Sequence, residues 1–160
     1  YLIFGALCQF QLILREADKI KCQDDMMRSI SELTDRFYKI VNGEDGDFSE
    51  IFSEDFEMDI MKGFAFGGVH KGLSAVNMFF EDFGAHFDGW AVDVNQKIQP
   101  SENSMIITGR YRSRGLKSGT DLSMETVHFW TADDGWLKTY KHYCDTAILS
   151  QVMEHQVPQY

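Results

Sequence analysis

Apolar positions along this chain change period twice, and the changes mark its elements. Ile30, Leu33, Phe37, Ile40 and Val41 recur at helical spacing, which predicts an amphipathic helix over 27–41, ended by Asn42-Gly43. Phe48, Ile51 and Phe52 predict a short second helix, and a strand should follow over 56–61. Leu73, Val76, Phe79, Phe80, Phe83 and Phe87 then make a strongly apolar helix. That stripe is core by default, with one or two of its phenylalanines free to line a cavity. From residue 90 the period falls to two: strands are expected over 90–98 and 105–113, with Pro100 and Asn103 marking the turn between them. Two runs rich in aromatic and β-branched residues flank Ala132-Asp133-Asp134-Gly135, giving a long hairpin, and 145–151 folds back as a short closing helix. Helices segregated from a mostly antiparallel sheet make an α+β domain. A strongly bent sheet around an apolar helix would leave a cone with a cavity at its open end.

The hairpin carries the candidate chemistry. Side chains alternate across a strand, so one face of its first strand shows Met124, Thr126, His128 and Trp130. On the second strand Tyr140, His142 and Cys144 share a face, opposite to Lys141. Two imidazoles and a thiol among aromatics are unusual for plain core. His128 and His142 should lie opposite or one diagonal step apart, about 5–8 Å between side-chain origins. Tyr111 and Tyr140 can add hydroxyl hydrogen bonds, with Trp130 and Met124 as an apolar wall.

Composition narrows the partners. At 160 residues the chain has one domain's worth of core, and 44% hydrophobic residues argue for a globular fold. A net charge of −10 weighs against nucleic acid and against an anionic membrane surface. Cys8, Cys22 and Cys144 form neither a disulfide framework nor a zinc spacing, which fits a reducing, cytoplasmic setting. Residues 1–25 stand apart: an apolar run of fourteen, too short for a bilayer span of about 20, then a charged stretch. Met26-Met27 resembles a domain start, so the expected division is a leader over 1–25, a domain over 26–155 and a tail over 156–160. The leader is either peripheral or an extra helix packed on the domain or its partner.

Other patterns yield to simpler explanations. The acidic residues from Glu44 to Asp59 lack the order of a calcium loop and read as a solvated face. The glycines of 63–72 lack both the G-x-G-x-x-G order and a Gly-Lys-Ser/Thr ending, so they serve turns or a pocket mouth rather than phosphate. Arg110, Arg112 and Arg114 share a strand face, to be met by solvent, local acidic groups or a subunit interface. His70 and His155 read as surface residues, and His86 closes a helix. Cys144 is a small buried apolar group before it is a nucleophile. Asp145 is a helix cap first and a pocket residue second. Two histidines without a third ligand make no metal site, and no nucleotide, flavin or other cofactor is implied.

Four segments carry a resemblance: Phe66-Gly67-Gly68-Val69-His70-Lys71-Gly72, Gly109-Arg110-Tyr111-Arg112, Val127-His128-Phe129-Trp130-Thr131 before Asp134-Gly135, and Tyr143-Cys144-Asp145-Thr146. In their order and spacing, over roughly 28–153, the chain resembles the SnoaL-like members of the nuclear transport factor 2-like superfamily, related to ketosteroid isomerases. The resemblance implies a cone-shaped α+β barrel, usually a homodimer, with an apolar pocket between sheet and helices. The family's chemistry carries over badly. The isomerase's oxyanion tyrosine on the first helix matches Phe37. Its aspartate base falls near Ile60, with Asp59 one residue out of step and on the opposite face. Two of the three residues that limonene epoxide hydrolase sets around a water align with Gly109 and Tyr111. The third, an acid that polyketide cyclases also use, aligns with His142. Steroid isomerisation and limonene epoxide hydrolysis are therefore disfavoured.

Two functions stay open at this point. One is a cofactor-independent enzyme of isomerase, cyclase or hydrolase type, acting on a small apolar oxygenated molecule. In it His142 and His128 divide acid and base work, one neutral and one protonated, and Tyr111, Met124, Thr126, Trp130, Tyr140, Cys144 and Asp145 form the ligand site. The other is a non-catalytic binding or dimerisation module, for which the volumes at Thr126 and Cys144 matter more than either imidazole.

Overall fold

The structure, a computed structural model, describes residues 27–153. The leader, Cys8, Cys22, His155 and the tail lie outside the described residues. In chain order the elements are α1 (Ile30–Val41), a 3-10 turn (Phe48–Glu50), β1 (Phe52–Ile60), β2 (Gly68–Lys71), α2 (Gly72–Gly84), β3 (Phe87–Ser101), β4 (Ser104–Gly115), β5 (Asp121–Asp133), β6 (Trp136–Cys144) and α3 (Thr146–Val152). The strands form one six-stranded sheet in the order β2-β1-β6-β5-β4-β3. Every neighbouring pair is antiparallel except β1 with β6, which run parallel. The sheet is curled rather than closed, and α1 and α2 lie in its hollow, as the α+β cone requires. Among the described residues no helix is long and apolar enough to cross a membrane.

Local chemistry sets the boundaries that periodicity blurs. The first helix starts three residues later than its apolar pattern, at Ile30, because Ser29 caps it. The Ser29 hydroxyl accepts from the Glu32 N–H at 3.3 Å, and the Glu32 carboxylate accepts from the Ser29 N–H at 2.8 Å. The expected second helix is only a 3-10 turn. Asp47 caps it, and the Ile51 carbonyl already accepts from Leu137 N–H at 2.9 Å, so the following residues are drawn into β1. The glycine-rich connection contains a strand that alternation missed. β2 is four residues long and pairs with β1 from Ile60↔Gly68 to Glu57↔Lys71. Phe87 opens β3 instead of ending α2. Pro100 sits inside β3, which tolerates it because β3 is an edge strand. The hairpin between β5 and β6 turns on Asp134 and Gly135, both at left-handed φ (49° and 75°), as a two-residue loop matched to strand twist requires.

Polar residues behave as surface. Glu44 and Glu50 pair with Arg36, Asp55 with Lys138, and Asp59 with Lys141. The arginines on β4 meet acids of neighbouring strands: Arg110 with Glu125, Arg112 with Asp93, Arg114 with Asp121. The sheet's concave face is the core. β5 alternates strictly, burying Leu122, Met124, Thr126, His128, Trp130 and Ala132. Gly109 makes close strand packing possible there, since a Cβ would come within 2.7 Å of the Asp93 carbonyl oxygen on β3. Gly109→Ala should therefore force β3 from β4 and cost about 1–3 kcal/mol. Urea unfolding checks this, and an unchanged midpoint would show that the strands relax freely.

Candidate functional site

Three strands and one helix converge on a buried polar cluster. His128 on β5 lies directly opposite His142 on β6, and Trp130 directly opposite Tyr140. Tyr111 on β4 stands opposite Met124, four pairs along from the Ile107↔His128 pair, and its ring leans back so that its hydroxyl reaches both imidazoles. The Tyr111 oxygen is 2.7 Å from His128 Nε2, 3.2 Å from His142 Nδ1 and 3.1 Å from the Tyr140 hydroxyl. The second nitrogen of His128, Nδ1, lies 2.5 Å from the hydroxyl of Tyr38 on α1. Tyr38 in turn accepts a hydrogen bond from Trp130 Nε1–H at 3.2 Å. Both histidines are about 1% exposed, and His142 Nε2 is the one buried side-chain polar atom among the described residues with no hydrogen-bond partner.

Tyr38 was missed by reading only the apolar residues of α1. The buried stripe of that helix is Ile30, Leu33, Thr34, Phe37 and Tyr38, so two polar residues fall at helical spacing within it. Thr34 satisfies its hydroxyl on the Ile30 carbonyl at 2.8 Å, whereas Tyr38 reaches across to the sheet. Phe37 itself has no hydroxyl, as the sequence shows; the phenol that α1 brings to the cluster is Tyr38, one residue later.

A cavity lies beside the cluster, walled by Phe37, Val41, Met58, Ile60, Phe64, Phe79, Phe80, Phe83, Trp90 and Val92, with Tyr111, His128, Tyr140 and His142 as its polar side. The cavity volume open to water is only about 30 Å³. That is room for water or a thin flat group; a larger ligand needs an aromatic side chain to swing aside. Phe64, from the loop between β1 and β2, stands nearly perpendicular to the His142 ring at 4.6 Å. Several α2 phenylalanines therefore line the cavity beyond the one or two expected, and Met58, Ile60, Phe64, Trp90 and Val92 were not foreseen.

Of the residues predicted to bind a ligand, Tyr111 and Tyr140 line this cavity with both histidines; the other five do not. Trp130 is buried behind Tyr140 and Phe37. Met124 is buried in the core beside Tyr111, outside the lining, and the Thr126 hydroxyl donates to the Tyr143 carbonyl at 3.2 Å. Cys144 packs its sulfur 3.9 Å from Met61 Sδ, and burial pushes its thiol up to about 12, so it is no thiolate at neutral pH. Asp145 is exposed and caps α3 through the Ala147 N–H at 3.0 Å. The strand alternation continues past the point where the sheet curls away from the cavity, and this is why face-sharing overestimated the site. Among the described residues no group of three or more His, Cys, Asp or Glu side chains is arranged to hold a metal ion.

Desolvation dominates the electrostatics. Burial drives His128 well below the usual imidazole value, with the neighbouring His142 adding to the effect. Burial lowers His142 to about 4, only partly opposed by Asp59 on the outer face. Burial likewise raises Tyr38, Tyr111 and Tyr140 above the ordinary phenol value. All five groups are neutral at pH 7, which corrects the expected division into one neutral and one protonated imidazole.

An α+β cone with a polar cluster on the concave sheet face defines a class, the small proteins that keep a cavity between a curled sheet and its helices. The chain has the nuclear transport factor 2-like fold. It is similar to an NTF2-like protein from Burkholderia thailandensis, with a TM-score of 0.71 at 21% identity over 79% of this chain and 98% of that one. A putative SnoaL-like polyketide cyclase from Jannaschia sp. gives 0.66 at 16% identity over 80% and 92%. A protein with a ketosteroid isomerase-like fold from Catenulispora acidiphila, solved with trimethylamine, gives 0.67 at 10% identity over 81% and 97%. No protein-family model and no curated protein matches the sequence.

The depressed imidazoles have a stability signature. The unfolded chain binds protons near pH 6.5 that the folded one refuses until about 4 at His142 and well below 6.5 at His128. Stability is therefore full above about 6.5 and falls as pH drops, by roughly 1.4 kcal/mol per pH unit for each imidazole. Carboxylates held low by partners, such as Asp93 beside Arg112, lose their contribution only further down. Urea midpoints between about pH 6.5 and 5 should thus slope with the histidines, and His142→Gln should remove its share of the slope. A flat wild-type profile in that window would mean that the imidazoles are solvated.

Proposed function

We propose that this protein is a cofactor-independent enzyme whose cavity takes a small apolar oxygenated molecule and moves a proton on it, in the manner of an isomerase, cyclase or hydrolase. The observation that carries this reading is the chain of linked phenols and imidazoles ending on one unpartnered, fully buried nitrogen at His142. A core needs no such group. Leaving a buried polar atom unpaired costs about 1–3 kcal/mol, and a ligand atom is the natural partner. His142 touches the substrate, His128 supports it through Tyr111, and the aromatic walls exclude water. A protein of the same fold was solved in complex with a small molecule, trimethylamine, which supports a small-molecule ligand for this fold.

In this reading the protein works in a reducing, cytoplasmic setting as a homodimer. Two copies pair through the outer face of the sheet, where Ile98, Phe129 and Tyr143 stand exposed around Ile106 and Val127.

A panel of small apolar ketones, epoxides and lactones tests the function, first for binding by NMR and then for conversion. Bound compounds should perturb Tyr111, Tyr140 and His142, and His142→Gln should lower turnover of any converted compound at least about 100-fold while the fold is kept. Binding without conversion across the panel would favour a ligand-binding module. In that case filling the cavity with Val92→Phe should matter more than either imidazole.

A further inference from the structure

The positions of the protons in the buried cluster follow from counting donors and acceptors. Trp130 can only donate, and it donates to the Tyr38 oxygen. The Tyr38 proton then has one acceptor within reach, His128 Nδ1. His128 must therefore carry its own proton on Nε2 and donate it to Tyr111. Tyr140 has a single partner, the same Tyr111 oxygen, and satisfies its proton by donating there. With two bonds accepted, Tyr111 has its own proton left, and the remaining acceptor is His142 Nδ1. His142 consequently holds its proton on Nε2, the atom that has no partner.

This order leaves one polar atom unpaired. Reversing the run, so that His128 donates from Nδ1 to Tyr38, strands the Tyr38 proton as well as a lone pair on His142 Nε2. Turning only Tyr111 and His142 strands the Tyr140 proton and the same lone pair. Each alternative leaves two orphans among the side chains against one. Donor types and distances set this order, and the burial that keeps every member neutral agrees with it.

We infer that Trp130 and Tyr38, acting through His128 and Tyr111, fix His142 as an N–H donor to the cavity, and that the site binds a neutral ligand through one acceptor atom, the oxygen of a ketone or aldehyde. The ligand half rests on the function proposed above; the proton order does not. An anion of the same shape would meet the same N–H but no positive charge, and would lose its hydration against walls of Phe, Trp and Met. A ligand offering only a donor would face the N–H proton to proton. Tyr38 does not line the cavity and is a positioning residue: it sets which nitrogen of an imidazole three hydrogen bonds away bears the proton.

Nitrogen-15 spectra of the histidine side chains in the full chain, between pH 6 and 8, test the proton order. Protonated and bare ring nitrogens resonate far apart, so tautomers are read directly. The expected result is a single Nε2–H tautomer for both His128 and His142. In Tyr38→Phe the Trp130 N–H loses its partner and the two orders leave equal numbers of orphans, three each, so His142 should show both tautomers. A wild-type His142 protonated on Nδ1, or on both nitrogens, overturns the order without any variant having to fold. The ligand half is read with acetophenone, its carbon isostere α-methylstyrene, and benzoate. Acetophenone should bind at least tenfold tighter than either and shift the His142 Nε2 signal. Equal binding of acetophenone and α-methylstyrene overturns the acceptor claim. If none of the three binds and His142 is still the Nε2–H tautomer, the pocket function falls and the proton order stands.

Discussion

The Tyr111 hydroxyl is the point on which this architecture turns. It sits within hydrogen-bonding distance of three other buried groups, brought from β5 and β6, and through His128 it is tied to α1. A neutral hydroxyl has one proton and two lone pairs, so three partners satisfy it completely. Remove it and three polar groups lose their common partner in an aromatic core, where each orphan costs about 1–3 kcal/mol. Few single contacts constrain as many elements. The pitch of α1, the register of β5 on β6 and the lean of a side chain from β4 must all be right together.

That constraint explains how the surroundings are built. Trp130 is placed to feed the network from one end while its ring packs on Phe37 and Tyr140. The Ser29 cap and the Asn42 end of α1, whose side chain pairs with the Val92 backbone in both directions at 2.8 and 3.1 Å, hold the helix in place along its length. Gly109 lets β3 approach β4, two residues from Tyr111. Aromatic rings fill the remaining space around the polar groups, and their low polarity keeps every member of the cluster uncharged.

Legibility from sequence followed the strength of each physical signal. The hairpin with its two-residue turn and the strict alternation of β5 were readable, because a period of two over many residues has no competitor. Hence His128, His142, Tyr111 and Tyr140 could be placed on one face before any coordinates. β2 was not readable: four residues within a glycine-rich loop have no period, and they become a strand only because β1 offers an edge. Tyr38 was hidden for a different reason. Its stripe was read as an apolar list, and a phenol whose partner lies 90 positions away gives no local sign of pointing inward. Met124, Thr126, Trp130 and Cys144 were correctly put on the strand face, but a face is longer than a cavity, and curvature decides which part of it meets open space.

The charge state of the cluster limits the chemistry available to it. With imidazoles below and phenols above their ordinary values, no member ionises near neutral pH, so the site cannot act by holding a fixed charge against a substrate. What remains is a line of groups that each donate one proton and accept another. Such a line strengthens each hydrogen bond through the next, but it has no proton source at its far end: Trp130 N–H donates to Tyr38 and does not replace a proton that Tyr38 gives up. An acceptor oxygen bound by the His142 N–H is therefore stabilised by polarisation of Tyr111, His128 and Tyr38 in turn, with each proton staying on its own donor. This differs from a carboxylate base, which needs solvent or a partner to carry its charge, and it is compatible with walls made almost wholly of aromatic carbon. Hydrogen-bond donation from a neutral, aligned line of groups is thus the form of catalysis that this particular set of residues can support.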